Sequence, residues 1–480
     1  MLKNKKAKKN FTEGPITRAL LNLSIPIVLT NILQSAYQLT DMFWVGRINE
    51  TAVAAVSLSY PLLFLLTSLG AGFAVAGTVL VSQYSGVNAR EKVDLITAQT
   101  FSSMTVFALI ISVLGYIFTP QFIGLMGAKE LLFVDTRDYL RISMIGLFFS
   151  YSYIMFQSLF RGVGNVKAPL TLVIMGVTIN FILDPLFILG YGPIPAMGVK
   201  GAAYATVGTQ GLTAIFGLYL MMRGSHGLKL HLHHLALRGP EVRRIIKLGL
   251  PASIEQSTRA LSMVMITFLI TGFGVVGTAA YGVGARVLSF VIIPALGFSL
   301  ATSTVVGQNI GAKKYDRALD TAKAACLIIF VSLTTVGLFT FTFAHGLMRI
   351  FVPDAPLVQE EGANFIRTIS LTFGLIGFQQ VVSGALRGGG STLLSMLLAM
   401  TTLWVFRFPT AYVLSNHTEL GIKGIWWAFG LSNLLAGVLS WYLLFKTKWM
   451  KNLTHTDADE LSDEQLTTLE ETKVSDNLSP

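Results

Sequence analysis

The sequence predicts an all-α membrane protein with twelve transmembrane helices in two pseudo-symmetric six-helix lobes. Hydrophobic residues make up 52% of the 480 residues and charged residues only 13%, whereas roughly a quarter of a soluble chain is charged. Apolar stretches long enough to span a bilayer recur along the whole chain. Four short motifs from the first half also return in the second half, in the same order.

The apolar stretches are long and uniformly apolar, unlike the short alternating strands of a membrane β-barrel. Lipid offers the backbone no hydrogen-bonding partner, so each stretch is predicted to be a helix. The first six cover residues 17–43, 52–82, 96–119, 138–160, 168–190 and 200–222. The second six cover residues 245–271, 278–307, 319–345, 363–386, 391–414 and 423–446.

The repeated motifs predict how the two halves are related. Their partners are separated by 223 to 226 residues. The pairs are Leu23-Ser24-Ile25-Pro26 with Leu248-Gly249-Leu250-Pro251, Gln83-Tyr84-Ser85-Gly86 with Gln308-Asn309-Ile310-Gly311, Phe160-Arg161-Gly162-Val163-Gly164 with Leu386-Arg387-Gly388-Gly389-Gly390, and Gly198-Val199-Lys200-Gly201 with Gly421-Ile422-Lys423-Gly424. Because six is even, both halves enter the membrane with the same orientation. This parallel 6+6 repeat places a pseudo-twofold axis along the membrane normal and a cleft between the lobes.

The positive charges predict the orientation of the chain. Lys and Arg concentrate in the segments on one side of the twelve-helix layout, and that side is expected to be the cytoplasm. The protein would then lie in the inner (cytoplasmic) membrane with both termini in the cytoplasm. The net charge of +11 is explained by Lys and Arg residues that orient the helices, and not by binding to nucleic acid. The predicted divisions are a basic N-terminus (1–15), a first lobe (16–222), a cytoplasmic linker (223–243), a second lobe (244–448) and an acidic, disordered tail (449–480).

Other chemistries find little support in the sequence. The single cysteine, Cys326, cannot form an intrachain disulfide. Three of the seven histidines, His231, His233 and His234, lie in the linker without Cys or acidic partners, which favours a solvated linker over a metal site. No intramembrane set of catalytic residues is recognisable. We therefore expect no enzyme activity and no cofactor. We also expect no bound metal ion, apart from a transported ion.

From about Ile16 to Lys448, the chain resembles the MATE (multidrug and toxic compound extrusion) family of transporters. The resemblance is carried by the Gln83-x-x-Gly86 and Gln308-x-x-Gly311 turns, the Arg161–Gly164 turn, and four single positions or pairs, namely Pro26, Asp41, Asp184-Pro185 and Pro251. It implies two lobes arranged as a V around a central cavity. It also implies efflux of amphipathic, often cationic compounds, driven by the entry of protons or sodium.

Two acids are predicted inside the membrane in the first lobe. Asp41 lies 15 residues beyond Pro26, about 22 Å along the helix axis, and Asp184 lies 17 residues beyond Lys167, about 25 Å along. Both helices start from the cytoplasm, so both acids are expected in the outer half of the lobe. Intramembrane carboxylates are costly and usually functional or paired. The structural alternatives are an interfacial charge near Arg47 for Asp41 and a bend beside Pro185 for Asp184.

Topology brings Tyr139, Asn180 and Thr206 to the same level as these acids. The resemblance implies that Asp41 and Asp184 accept the coupling cation, that these three residues support it, and that Pro26 is a conformational hinge. Protons are favoured as the coupling ion. Sodium is the alternative coupling ion, and its ligands would be Asp41, Asn180, Asp184 and Thr206.

The second lobe does not repeat the acids, because the repeat spacing aligns Asp41 with Ile266 and Asp184 with Phe408. Coupling is therefore expected in one lobe. Glu255 is favoured as an internal ion pair with Arg259, four residues later. Arg286 and Arg407 are predicted either to line the cleft or to pair structurally. Candidate substrate-cavity residues are Gln34, Tyr37, Glu255 and Arg286.

The resulting expectation is a monomeric, cation-coupled multidrug efflux antiporter that works by alternating access. Its partners would be small amphipathic drug-like compounds and membrane lipid. The alternative is a flippase for a lipid-linked saccharide of the same broad fold. A flippase would need central arginines in both lobes to bind pyrophosphate, whereas the first lobe carries acids among its spans.

Overall fold

The computed structural model describes residues 11–125, 130–224 and 226–454. These residues form helices and connecting loops, and a single isolated bridge, Tyr191 to Ile194, is the one β-type pairing in the described chain. The predictions for the first ten residues and for the acidic tail from residue 455 onward lie outside the described residues.

Fifteen α-helices follow one another along the described chain. The first half contains α1 (Ile16–Val45), α2 (Glu50–Gly86), α3 (Arg90–Leu125), α4 (Glu130–Gly162), α5 (Lys167–Ile188) and α6 (Val199–Arg223). The second half contains α7 (Gly239–Thr271), α8 (Val275–Gly311), α9 (Tyr315–Thr342), α10 (Ala344–Phe351), α11 (Pro356–Ser370), α12 (Phe373–Gly388), α13 (Thr392–Met400), α14 (Phe408–Asn416) and α15 (Ile422–Phe445). A π-helical segment, Thr401–Arg407, joins α13 to α14.

All twelve predicted apolar stretches are helical, and they differ in how they could cross a membrane. In the described chain, ten spans are long and apolar enough, counting α13 to α14 as one, and the pair α11 and α12, bent by 52°, makes eleven. The remaining predicted stretch, residues 245–271, corresponds to α7, which is not among these spans. Glu255, Gln256 and Arg259 lower its hydropathy, and α7 packs against α2 and α13, so polar groups can face protein.

Matching backbone features mark the two halves as repeats. Pro26 lies inside α1 and Pro251 inside α7. Gly198 precedes α6 with φ 56° and ψ −129°, and Gly421 precedes α15 with φ 52° and ψ −132°. Both glycines have a positive φ that favours a residue without a side chain. The repeat predicted from the motifs is therefore present in the backbone geometry.

The two lobes meet at one end of the molecule, here called the terminus face because residues 11–14 and 449–454 pack there. In α2 every residue from 76 to 84 is buried, and in α8 every residue from 301 to 311 is buried. Toward the opposite ends of both helices burial becomes intermittent. The lobes therefore pack tightly at the terminus face and separate away from it, as expected for a V.

The Gln-x-x-Gly turns join the lobes at this face. The amide nitrogen of Gln83 donates to the carbonyl of Gly388 at 3.1 Å, and that of Gln308 donates to the carbonyl of Gly162 at 3.1 Å. A Cβ on Gly86 or Gly311 would lie 2.0 Å from the carbonyl oxygen of the glutamine in the opposite lobe. These glycines permit the backbones of α2 and α8 to touch.

The linker and residues 449–454 are more ordered than the sequence predicted. Leu228 and Leu230 of the predicted solvated linker are buried against the first lobe, and the amide of Gln99 on α3 donates to the carbonyls of His234 and Ala236 at 2.7 Å. The first residues of the predicted disordered tail also pack. Trp449 is buried, its backbone carbonyl accepts a hydrogen bond from Ser391, and its ring lies beside Gly389.

Candidate functional site

A cavity of about 450 Å³ lies within the first lobe, between α1, α2, α4, α5 and α6. Five of the predicted site residues line it, although they come from three separate helices. These are Gln34, Tyr37, Asp41, Tyr139 and Thr206. The volume is in the range of small-molecule binding sites. Of the five residues that topology predicted at one level, Asp41, Tyr139 and Thr206 thus lie around one cavity.

The residues of α1 reach the cavity because of their helical spacing. Gln34, Tyr37 and Asp41 are three and four residues apart, which puts them on one face of the helix. The amide of Gln34 donates to Gln157 on α4 at 3.4 Å. Thr206 on α6 lies beside both Tyr37 and Asp41. One face of α1 therefore supplies a carboxylate, a phenol and an amide to the same cavity.

Asp184 and Asn180 are not among the residues that line the cavity. Both side chains are completely buried, and the Asn180 amide nitrogen donates to Oδ1 of Asp184 at 2.8 Å. Asp184 is close enough to Asp41 for the two carboxylates to interact electrostatically, and Tyr139 is within the same range of both. The two acids and their polar neighbours form one cluster.

Several buried oxygens of this cluster have no hydrogen-bond donor. They are Oδ1 of Asp41, Oδ2 of Asp184, Oδ1 of Asn180 and the hydroxyl of Tyr37. Unpaired buried polar atoms are costly and are uncommon in folded proteins. Carboxylate and amide oxygens are also the ligands that hard cations prefer. These oxygen atoms are chemically suited to hold a proton on a carboxylate or to coordinate a sodium ion.

The sequence analysis missed polar residues that complete the cavity. Thr209 and Gln210 follow Thr206 by three and four residues and line the same wall, a spacing that could have identified them. Ser150 on α4 donates to Gln210 at 2.5 Å. The cavity lining contains no Lys or Arg, so Asp41 is its one charged group.

Two of the predicted substrate residues lie elsewhere. Glu255 is fully buried in the second lobe, where its Oε1 accepts from Arg259 at 3.0 Å and from Arg387 at 2.9 Å. Its Oε2 accepts from Ser395 at 2.8 Å. The favoured ion pair with Arg259 is therefore present, with Arg387 as a second partner. Arg286 is exposed and lines neither of the cavities described here.

Pro26 interrupts the hydrogen bonds of α1 without ending the helix. Proline has no backbone N–H, so one bond of the helix is missing, yet α1 continues from Ile16 to Val45. The Thr30 hydroxyl donates to the Pro26 carbonyl at 2.8 Å. A weak point in the helix backbone thus lies between the terminus face and the acids.

The two-lobed fold of membrane-spanning helices, with an acidic cavity within one lobe, is that of an integral membrane transporter. The chain belongs to the MatE family, whose profile matches residues 26–186 and 251–413. These two matches cover the two halves of the repeat.

Named relatives extend over nearly the whole chain. The probable multidrug resistance protein YoeA of Bacillus subtilis is 30% identical over 429 residues, covering 88% of this chain and 92% of the relative. The probable multidrug resistance protein NorM of Thermotoga maritima is 25% identical over 463 residues, covering 95% and 97%.

Solved structures share the fold. A MATE crystal structure in the bent conformation matches with a TM-score of 0.86 and 24% identity, over 92% of this chain and 99% of that chain. A multidrug resistance MATE transporter in an outward-facing conformation matches with a TM-score of 0.84 and 24% identity, over 92% and 100%.

Proposed function

We propose that this protein exports small amphipathic, often cationic compounds across the cytoplasmic membrane in exchange for protons, with sodium as the alternative coupling ion. The observation that carries the proposal is the cavity of the first lobe, whose one charged lining residue is Asp41. The multidrug resistance names of the relatives support the same substrate class. Drug-like substrates of this kind suit a cavity of about 450 Å³ lined by apolar and aromatic side chains.

Exchange requires that drug and coupling ion compete for one charge. A cationic compound is attracted to the Asp41 carboxylate, whereas a proton or a sodium ion on the cluster neutralises that attraction. Asp184, held by Asn180 at 2.8 Å, interacts with the charge on Asp41. Loading one carboxylate therefore changes the affinity of the other for a cation. A coupling ion that arrives from outside would release the compound.

Alternating access requires a second state in which the terminus face opens. In our proposal the terminus face is cytoplasmic, so the conformation described here is open to the outside. Bending of α1 at Pro26, where one backbone bond is missing, would reshape the cavity when the cluster is loaded. An ion can favour one conformation only by binding it more tightly than the other, and the cluster on α1 and α5 supplies that difference.

The flippase alternative is less well supported. Recognition of a lipid pyrophosphate needs cationic groups, and the cavity of the first lobe is lined by none. The relatives cited above carry multidrug resistance names. Export of cationic compounds is therefore the function that the site supports best.

Dye efflux in everted membrane vesicles tests the proposal. Vesicles with wild-type protein, Asp41→Asn or Asp184→Asn would be compared under a pH gradient and, separately, under a sodium gradient. Glu50→Gln is the matched control, since Glu50 is an exposed acid at the start of α2 and does not line the cavity. We expect efflux driven by the pH gradient in wild type and control, and loss of efflux in both Asp variants. Full efflux by Asp41→Asn under both gradients would refute the coupling assignment.

A further inference from the structure

The second lobe contains its own, smaller cavity, to which no role has been assigned so far. It has a volume of about 100 Å³ and lies between α7, α8, α11, α12, the π-helical segment and α15. Its polar lining comes from Arg259, Gln379, Gln380, Arg407 and Asn433. No Asp or Glu is among the residues that line it.

This cavity is the repeat counterpart of the acidic cavity in the first lobe. The two prolines inside α1 and α7 are 225 residues apart, and the same spacing relates Gln34 to Arg259. The matching glycine caps of α6 and α15 are 223 residues apart, and this spacing relates Gln210 to Asn433. All four polar residues line their respective cavities. The fold has therefore kept the cavity in both lobes.

The charge of the cavity is reversed between the lobes. The first cavity is lined by one acid and by no base, whereas the second is lined by two arginines and by no acid. Arg259 is paired with Glu255 at 3.0 Å. Arg407 has no carboxylate within 4.0 Å among the described residues, and Glu255, the acid of this lobe's interior, pairs with Arg259 and Arg387 instead.

Neutral groups fix the orientation of the Arg407 guanidinium. Its Nε donates to Ser432 at 2.9 Å, and its Nη2 donates to Oδ1 of Asn433 at 2.7 Å. Its guanidinium carbon lies 4.7 Å from the centre of the Phe429 ring. Asn433 is itself oriented, because its amide nitrogen donates to Thr372 at 2.9 Å. An intramembrane arginine held in this way without a counter-ion is expected to be functional.

The backbone at Arg407 provides a second observation. Residues 401–407 form a π-helix that ends at Arg407, and π-helical turns are rare and are frequently found at functional sites. The corresponding helix of the first lobe, α5, is an uninterrupted α-helix from Lys167 to Ile188. The helix of the second lobe thus departs from its repeat partner at the residue that carries the unpaired charge.

We propose that the cavity of the second lobe binds an oxyanion, a carboxylate or phosphate group, through Arg407 with Gln379 and Gln380 beside it. A planar guanidinium binds such groups through paired, charge-assisted hydrogen bonds. A volume of about 100 Å³ is too small for the body of a drug-sized compound but admits one charged group. The source is either a free inorganic anion or the carboxylate of an organic compound, and these share one recognition chemistry. The proposal concerns a site distinct from the acidic cavity and does not depend on cation export.

Thermal unfolding of the purified full-length protein in detergent would test this site. The melting temperature is measured as a function of the concentration of sodium benzoate and, separately, of sodium phosphate. The shift seen with sodium chloride at equal ionic strength is subtracted from each. The variants are Arg407→Gln, Gln380→Leu, which alters the lining without touching the groups that hold Arg407, and the control Arg286→Gln at an exposed arginine of the same lobe. Ethidium binding is measured on each protein as the readout of the first cavity.

We expect a saturable rise in melting temperature in wild type and in Arg286→Gln, and at least about a tenfold weaker response in Arg407→Gln, the loss expected for hydrogen bonds to a charged group. If Arg407→Gln does not fold, a weakened response in Gln380→Leu carries the test. A response to benzoate alone identifies an organic carboxylate as the source, and a response to phosphate alone identifies an inorganic anion. The proposal is overturned if wild type responds to neither anion, or if the two cavity variants respond as wild type does. If the wild-type protein does not bind ethidium, this result counts against cation export and not against the anion site.

Discussion

Replacing Gly311 with alanine should open the lobes at the terminus face. The added Cβ would lie 2.0 Å from the Gln83 carbonyl oxygen and 2.7 Å from its carbonyl carbon, whereas ordinary contacts begin at 3.4 Å. Gln83 cannot retreat easily, because its side chain donates to the carbonyls of Gly388 and Lys451 and accepts from the backbone of Leu453. The overlap must therefore be relieved by moving α8 away from α2.

The size of the effect follows from this geometry. Adding a methyl group to a closely packed contact costs about 1–3 kcal/mol, which changes the ratio of closed to open populations roughly 5- to 150-fold. Alanine is also the better helix former by about 0.5–1 kcal/mol. Gly282→Ala controls for that gain, because Gly282 lies in the same helix and a Cβ there meets nothing within 4 Å.

Spin-label distance measurements would detect the change. In a protein carrying Cys326→Ala, cysteines at Arg90 and Tyr315 place labels at the starts of α3 and α9, one in each lobe. Both side chains are exposed. We expect a new, longer distance population in Gly311→Ala and an unchanged distribution in Gly282→Ala. An unchanged distribution in Gly311→Ala would refute the inference that this glycine permits closure.

Two further variants test the buried polar groups. Glu255→Gln leaves Arg387, which is 5% exposed, without its carboxylate, so thermal unfolding should show a loss of about 3–5 kcal/mol; Glu50→Gln should show none, and equal stability of the two would contradict the role of this ion pair. Asn180→Leu removes the hydrogen bond to Asp184 and leaves that acid without a donor, so we expect a stability loss of about 1–3 kcal/mol together with loss of dye efflux. Normal efflux by a folded Asn180→Leu protein would exclude Asn180 from the cluster's function.

Much of the acidic cavity was predictable because helices convert sequence spacing into depth. Asp41 and Tyr139 lie on helices that run in opposite directions; the rise per residue placed Asp41 in the outer half of the lobe, and topology placed Tyr139 there at the start of α4. The face of α1 that carries Gln34 and Tyr37 followed from helical periodicity. The position of Thr206 followed from its place early in α6, a helix predicted to enter the membrane from outside.

Other features depend on tertiary contacts that local patterns do not contain. The pair of Glu255 with Arg259 was visible at a spacing of four residues, but Arg387 lies 132 residues from Glu255. The bend between α11 and α12 follows no proline, and there α9 packs against the Ser370 carbonyl at Gly337. The docking of the linker on α3 depends on Gln99, which lies far from the linker in sequence. Hydropathy alone registers none of these contacts.

The central claim is that drug and coupling ion exchange on the cluster around Asp41. The most direct test adds a cationic dye to purified protein in weakly buffered detergent solution and measures proton release with a pH indicator, with release of bound radioactive sodium measured in parallel. Our account predicts release of protons, or of sodium, on dye binding to wild type and to Glu50→Gln, and no release from Asp41→Asn. Dye binding without release of either ion from wild type, or undiminished release from Asp41→Asn, would contradict it.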